Sequence, residues 1–260
     1  MTKQQYPILE FDPVSLPVVC AKKYLPHFIS ENMTDKCLIT YFSDVVDQFE
    51  REYKVNQVFK IRTEGIRPSV YFMQAGPFKK PVFVIPMPIG APQAARVVEA
   101  MCAVGVKKFM VCGGAGTLDD TITGKKTLIP TSAIRDEGTS YHYLPPAREV
   151  QINPIAEKAI EKVLNREGVE YEKVKTWTTD AIFRETADKV ALRKSEGCSV
   201  VEMECSAFYA VAQYKKVVLG QILYAGDIVS VDEWDYRDWH TRYECREKLF
   251  ELGIKCLLEL

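Results

Sequence analysis

Hydrophobic and polar positions along the chain alternate between two rhythms. Short apolar runs bounded by Gly, Pro or polar residues predict strands at LPVVCA (16–21), CLITYF (37–42), PSVYFMQA (68–75) and KPVFVIPMP (80–88). The same signal recurs at KKFMVCGGAG (107–116), KTLIPTSAI (126–134), YEKVKTWTTD (171–180), CSVVEME (198–204) and VLGQILYAGD (218–227). Between these runs, apolar residues return every three or four positions. That spacing predicts helices over about 44–53, 93–105, 154–168, 185–195, 204–214 and 238–259. Gly105 is placed to end the second of them, and GPFKK (76–80) supplies turn chemistry between two neighbouring strands. Strands alternating with helices predict the α/β class: a single domain over 1–260, with a central mixed sheet flanked by helices. Ligands of such sheets sit at the carboxyl ends of the strands.

Composition narrows the function classes. The chain has 260 residues, enough for a sizeable core, with 34 basic and 35 acidic residues. A net charge of −1 argues against nucleic acid or an anionic membrane as partner, and no apolar run is long enough to span a bilayer. The opening MTKQQYPILEFDP lacks the basic head and apolar core of a signal peptide. Eight cysteines, none in a C-x-x-C pair and most in apolar runs, predict reduced thiols in a cytoplasmic protein. His27, His142 and His240 show no metal-ligand spacing, so neither a metal nor an organic cofactor is expected.

Four candidate features fall at predicted strand ends. Gly113 and Gly114, in GGAG, form either a tight strand-to-helix turn or a stretch whose bare amides approach an anion or a ring. The pattern is neither a Walker loop nor G-x-G-x-x-G. Glu202, Met203 and Glu204 interrupt an otherwise apolar or small-residue run. A carboxylate there serves the helix N-terminus, or stands ready to accept two hydrogen bonds from vicinal hydroxyls such as those of a ribose. Met203 would offer a pliable apolar face. Asp227, after the strand GQILYA, is either a turn cap or a general acid. TTDAIF (178–183) lies at the end of the strand YEKVKTWTTD.

Taken in order, VCGGAGTL, RDEGTSYHY, VVEMECSAF and ILYAGD resemble the nucleoside phosphorylase family, which includes uridine phosphorylases, hexameric-type purine nucleoside phosphorylases and methylthioadenosine nucleosidases. The resemblance implies a mixed sheet partly closed into a barrel. It also implies cleavage of a nucleoside N-glycosidic bond through an oxocarbenium-like transition state. Inorganic phosphate would be the co-substrate and ribose 1-phosphate a product, in a homo-oligomer (dimer or hexamer). By the same resemblance Glu204 accepts the ribose hydroxyls, Met203 packs on the sugar and Glu202 lies beside them. Asp227 helps protonate the base, Phe183 or Ile182 stacks on it, and Gly113 and Gly114 line the site. The uracil-reading Gln and Arg have no counterpart around Arg184 and Arg193, which favours a purine or an unusual base.

The pattern also departs from the family. Phosphorolytic members carry G-D-P-x-R after the first strand, an Arg on the strand entering the glycine-rich stretch, and a Thr or Ser within it. With 16–21 as first strand, VVCAKKYLPHF (18–28) stands in the first place, Val111 in the second and Gly114 in the third. Lys22, Lys23, Arg62 or Arg67, with the amides of Gly113 and Gly114, are the candidate substitutes, with a solvated surface pair the alternative for the two lysines. The hydrolytic branch places a Glu in a G-A-M-E context where this chain reads CAKK. Phosphorolysis is therefore the expectation, with a nucleosidase using water or a non-catalytic nucleoside-binding protein as alternatives. The tail around Trp234, Tyr236 and Trp239 is either a lid over the base or an interface helix.

Overall fold

Apolar runs of about five residues become strands and the amphipathic stretches between them become helices, in a computed structural model that describes residues 3–25, 34–53, 56–62, 65, 67–73, 80–118, 122, 126–230, 234–238 and 241–260. The order is β1 (Lys36–Thr40), α1 (Ser43–Tyr53), β2 (Asn56–Lys60), β3 (Ser69–Met73), β4 (Val82–Pro86), α2 (Ala91–Ala103) and β5 (Lys108–Thr117). It continues with β6 (Thr127–Asp136), β7 (Glu149–Gln151), α3 (Pro154–Glu167), β8 (Tyr171–Thr179), α4 (Ala187–Ser195) and β9 (Cys198–Glu202). The chain ends with α5 (Cys205–Lys215), β10 (Val218–Val229), β11 (Trp234–Asp235) and α6 (Tyr243–Glu259).

Five strands close on themselves. β5 pairs in parallel with β10, β10 antiparallel with β6, β6 and β8 in parallel, β8 and β9 in parallel, and β9 antiparallel with β5. Each of the five contributes to one apolar cluster: Ala115, Leu128, Val174, Val200, and Leu223 with Ala225. The ring is thus filled by side chains and is not a pore. From β5 the sheet continues outward through β1, β4, β3 and β2. A larger core lies between this sheet and helices α1, α2, α5 and α6.

β5 is the strand that positions the site. Lys108–Cys112 run between β1 and β10, while Gly116 and Thr117 pair with Val201 and Val200 of β9. Between Cys112 and Gly116 the strand therefore changes neighbours on one side, and the ends of β1 and β9 meet at that fork.

The helices follow their local chemistry. Asn153 caps α3 by accepting from the Ile155 N–H (2.9 Å), Pro154 opens it, and Gly168 ends it at φ 68°. α5 is buried from Cys205 to Ala212, as expected of a helix that is apolar or small on every face.

Several sequence expectations change. Residues 16–21 form no strand: Val18 and Val19 are exposed and a 3-10 turn follows at Ala21–Tyr24. Pro17 has no N–H to offer a ladder. The first strand is therefore β1. GGAG is not a turn, because the strand runs through it to Thr117. The unanticipated strands β2, β7 and β11 read NQVFK, EVQ and WD, too polar or too short for an apolar-run criterion. α6 begins at Tyr243, later than expected. Most of the GPFKK turn, with His27, Trp239 and His240, lies outside the described residues.

Candidate functional site

The corner between β9 and α5 holds two carboxylates with different surroundings. Glu202 points into a full set of donors. Its Oε1 accepts from the hydroxyls of Thr178 (2.6 Å) and Thr176 (3.2 Å), and its Oε2 from the backbone N–H groups of Glu204 (2.8 Å) and Cys205 (2.6 Å). Those amides open α5, so Glu202 acts as its capping group. Thr178 also accepts from the Ser206 N–H (3.0 Å), and the Ser206 hydroxyl donates to Glu137 (2.8 Å). Glu137 in turn accepts from the N–H groups of Thr139 (2.6 Å) and Ser140 (3.0 Å). The RDEGTSYHY loop is tied by this chain to the first turn of α5. Burial pushes the Glu202 carboxyl up, and the Thr178 hydroxyl, two amides and the Thr176 hydroxyl oppose it.

Glu204 is also buried, at 5% exposure, but it is not saturated. Its Oε1 accepts from the Gly90 N–H (2.6 Å), the residue before α2. Burial first, and the Glu202 carboxylate second, push its carboxyl up to about 8. Met203, half-buried, lies between the two carboxylates. Tyr41, directly after β1, completes the corner. Its ring lies on Gly113, where an added Cβ would meet the ring at 2.9 Å, and Gly114 is covered in the same way by the Tyr224 ring at 2.9 Å. The Tyr41 hydroxyl is buried with no hydrogen-bond partner, and it faces Glu204 without reaching bonding geometry. Gly113 and Gly114 are therefore positions within β5 where any side chain would collide with the rings of Tyr41 and Tyr224.

A second carboxyl pair lies across β5. Asp227, near the end of β10, accepts from the Trp234 indole N–H (2.6 Å), and its backbone carbonyl accepts from the Thr117 hydroxyl (3.2 Å). Gly116 makes room for it: a Cβ there would stand 3.2 Å from Asp227 Oδ1 and 3.1 Å from Val201, the residue before Glu202. Glu185 faces Asp227 from the turn after β8. Burial first, and the Asp227 charge second, raise the Glu185 carboxyl to about 7. Ile182 and Phe183 sit on the same turn at 49% and 96% exposure. Asp180, just before it, accepts from the Gly138 N–H (2.9 Å) and ties that turn to the RDEGTSYHY loop.

The structure thus gathers Glu202, Met203, Glu204, Gly113 and Gly114 at one fork, and sets Asp227 on its far side. Ile182 and Phe183 remain on the rim. Lys22 and Arg67 are both exposed, the first on the turn packed against α2 and the second ahead of β3. Sequence reading singled out neither Tyr41, Gly90 nor Glu185, and Thr178 and Glu137 entered it only inside the TTDAIF and RDEGTSYHY motifs, without roles of their own. A cavity of about 980 Å³ lies elsewhere, lined by residues including Tyr224, Arg242, Cys245 and Lys248. Lys126 and Lys255 on its wall are paired with Glu172 and Glu167, so it offers less unsatisfied chemistry than the corner. Among the described residues no cluster of His, Cys, Asp or Glu could hold a metal, and no helix is long and apolar enough to cross a membrane.

Comparison with known proteins gives this arrangement a context. A family model described as the phosphorylase superfamily matches residues 38–250. The chain is 28% identical over 138 residues to a guanosine phosphorylase of Halorubrum lacusprofundi, a match covering 52% of this chain and 56% of that protein. It therefore spans little more than half the length of that relative. Among solved structures, an AMP nucleosidase from Bacteroides thetaiotaomicron shares the fold at TM-score 0.70 and 23% identity, covering 88% of this chain and 89% of that one. A uridine phosphorylase from Vibrio fischeri does so at TM-score 0.72 and 18% identity, covering 89% and 95%.

Proposed function

The chain belongs to the phosphorylase superfamily, and from that premise we propose that it cleaves the N-glycosidic bond of a nucleoside, releasing the free base. One observation carries this reading. Glu204 is a buried carboxylate with one oxygen fixed by the Gly90 amide and capacity left to accept vicinal hydroxyls. Its neighbour Glu202 is already satisfied by four donors, so the pair divides into a structural and a binding carboxylate.

The reaction then has three parts. Glu204 grips the ribose hydroxyls, with Met203 against the sugar. As the C1′–N bond breaks, charge moves onto the base, and the Asp227–Glu185 pair stands where a proton can be supplied. A base with a basic ring nitrogen, such as a purine, makes the best use of that pair. Transfer of the ribosyl group to phosphate, giving ribose 1-phosphate, is the reading that the relatives' names support. Hydrolysis is a second reading, favoured by the Tyr41 ring on Gly113. Association into a homo-oligomer and a cytoplasmic setting belong to the same proposal.

Base release from a panel of purine and pyrimidine nucleosides tests it. Turnover of at least one nucleoside, abolished in Glu204→Ala, is the expected result. No turnover of any nucleoside would leave a nucleoside-binding protein as the surviving reading.

A further inference from the structure

We propose that the base of the sheet is a docking surface for an anionic lipid bilayer, formed by a row of lysines at the starts of four parallel strands. β4, β1, β5 and β10 run side by side in the same direction. Each is entered through lysine: Lys80 ahead of β4, Lys36 opening β1, Lys107 and Lys108 at the start of β5, and Lys215 and Lys216 ahead of β10. The entries are fastened to one another. Lys36 and Lys108 are register partners, the N–H groups of Lys107 and Lys108 donate to the Asp35 carbonyl, and the Val218 N–H donates to the Lys107 carbonyl (3.0 Å). The Thr34 hydroxyl donates to the Pro81 carbonyl (2.8 Å), which joins the start of β4 to that of β1. Among the described residues the ion-pair partners of this row are Asp35, on Lys108 (3.4 Å), and Glu99, on Lys215 (2.9 Å). Lys80, Lys107 and Lys216 are exposed and form no ion pair among the described residues.

Local structure accounts for part of the row only. The Lys36 ammonium donates to the Leu257 carbonyl (3.1 Å) near the end of α6, and Lys215 lies in the last turn of α5, where cations complement the helix dipole. Lys80 and Lys107 lie on no helix. Lys216 stands at φ 56°, a helix-end position that favours glycine, so a lysine there is held against backbone preference. Burial first, and then the charges of Lys108 and Lys80, hold the Lys36 ammonium below its ordinary range, with Asp35 opposing. The lysines are thus close enough to repel, and a surface of phosphates relieves that repulsion. Shape selects a bilayer over smaller anions and over nucleic acid. None of the six lysines lines either of the cavities of about 980 and 510 Å³. The exposed ring beside the row, Tyr214, is already packed edge-to-face with Tyr143 (5.5 Å) and offers no free platform for stacked bases. The net charge of −1 averages over the chain and hides this end of it. Docking by the base also leaves the candidate site free. Gly113, Gly116 and Asp227 lie toward the other ends of β5 and β10, and β5 alone, at ten residues, is roughly 30 Å long.

Co-sedimentation of the full chain with lipid vesicles tests the proposal. Vesicles of phosphatidylcholine with about 30% phosphatidylserine should carry the protein down at about 0.05 M salt and release it at about 0.5 M, while phosphatidylcholine alone should not bind it. Partitioning should fall roughly fivefold for each of Lys80→Glu, Lys107→Glu and Lys216→Glu, and more in the triple variant. Lys216→Gly separates surface charge from fold: it relieves the left-handed position, so Tm should hold or rise while vesicle binding falls. Lys158→Glu, on the exposed side of α3, should bind as the parent does. Equal binding to both kinds of vesicle, binding to neither, or a triple variant that partitions like the parent overturns the proposal. Capture of single-stranded RNA without vesicle binding overturns it as well and makes the row a nucleic-acid surface.

Discussion

The two ends of the candidate site differ in how much of them exists before a substrate arrives. At the β9–α5 corner every carboxylate contact is made inside the chain: Glu202 has four donors and Glu204 is held by the Gly90 amide. At the other end Trp234, on the short β11, is 61% exposed and Phe183 is 96% exposed. On the proposed reading, the end that takes the ribose is preorganised and the end that takes the base is open. Hydrogen bonds in the buried corner act in a low local dielectric and need no rearrangement when charge develops at the sugar. The rim groups meet solvent until a base covers them. Substitutions at the corner should therefore reach the chemistry and the fold together, whereas substitutions at the rim should change proton delivery with little effect on stability.

The largest effect is expected at Glu204. Removing it in Glu204→Ala deletes the proposed acceptor for the ribose hydroxyls, and kcat/KM should fall by about 10³-fold, comparable to losing a main electrostatic group of an active site. Steady-state kinetics on the best nucleoside of the panel measure it. A variant with parental kcat/KM would remove Glu204 from the site.

The second effect separates the two ends by pH. Glu204 must be ionised to accept hydroxyls and titrates at about 8, while Glu185 must be protonated to give a proton and titrates at about 7. The active form therefore carries its proton on the group with the lower pKa. kcat/KM should rise with pH up to about 7, stay level to about 8, and fall above it. Glu185→Gln should lower the maximum by about 10²-fold and abolish the alkaline fall, leaving a rise to a plateau above about 8. A profile that still falls at alkaline pH in Glu185→Gln would assign the proton to Asp227 instead. The isosteric Glu202→Gln sharpens the other limb. It removes the charge that helps raise Glu204, so the rise should move to lower pH.

Third comes the fold of the corner. Glu202→Ala leaves the first two amides of α5 and the hydroxyls of Thr176 and Thr178 without their common acceptor. That should cost about 2 kcal/mol, or a fall in Tm of roughly 4–8 °C. A change of this size at Trp234 or Phe183 would contradict the division between corner and rim.

These residues also mark how far sequence could go. The α/β class, most of the elements and the importance of the E-M-E stretch were legible, because burial periodicity and a carboxylate in an apolar run are local signals. The division of labour between Glu202 and Glu204 was not. It depends on Thr176 and Thr178 on β8 and on Gly90, which is 114 positions from Glu204. LPVVCA misled because an apolar run with nothing to pair with stays exposed, as Val18 does at 98%. Tyr41 was not legible either, because what singles it out is the packing of its ring on Gly113 of β5, a contact made only in the fold. Glu185 carried no signal at all, because its raised pKa comes from burial and from Asp227, brought near it by the fold.

The smallest expected effect tests the link between Gly90 and Glu204. Gly90 has φ 117° and ψ 144°, a backbone region that side chains other than glycine's avoid. Space is not the obstacle, since a Cβ there would meet nothing closer than Pro92 Cδ at 3.9 Å. Gly90→Ala is therefore a backbone perturbation at the donor that fixes the carboxylate. It should cost about 1–2 kcal/mol of stability, and KM should rise several-fold as the Gly90 N–H turns away from Glu204 Oε1. The two readouts separate two roles. A stability loss with unchanged KM would make the Gly90 amide a helix-start feature alone. A KM rise with kcat largely kept would place it in ribose binding, as a group that sets the carboxylate before the sugar arrives.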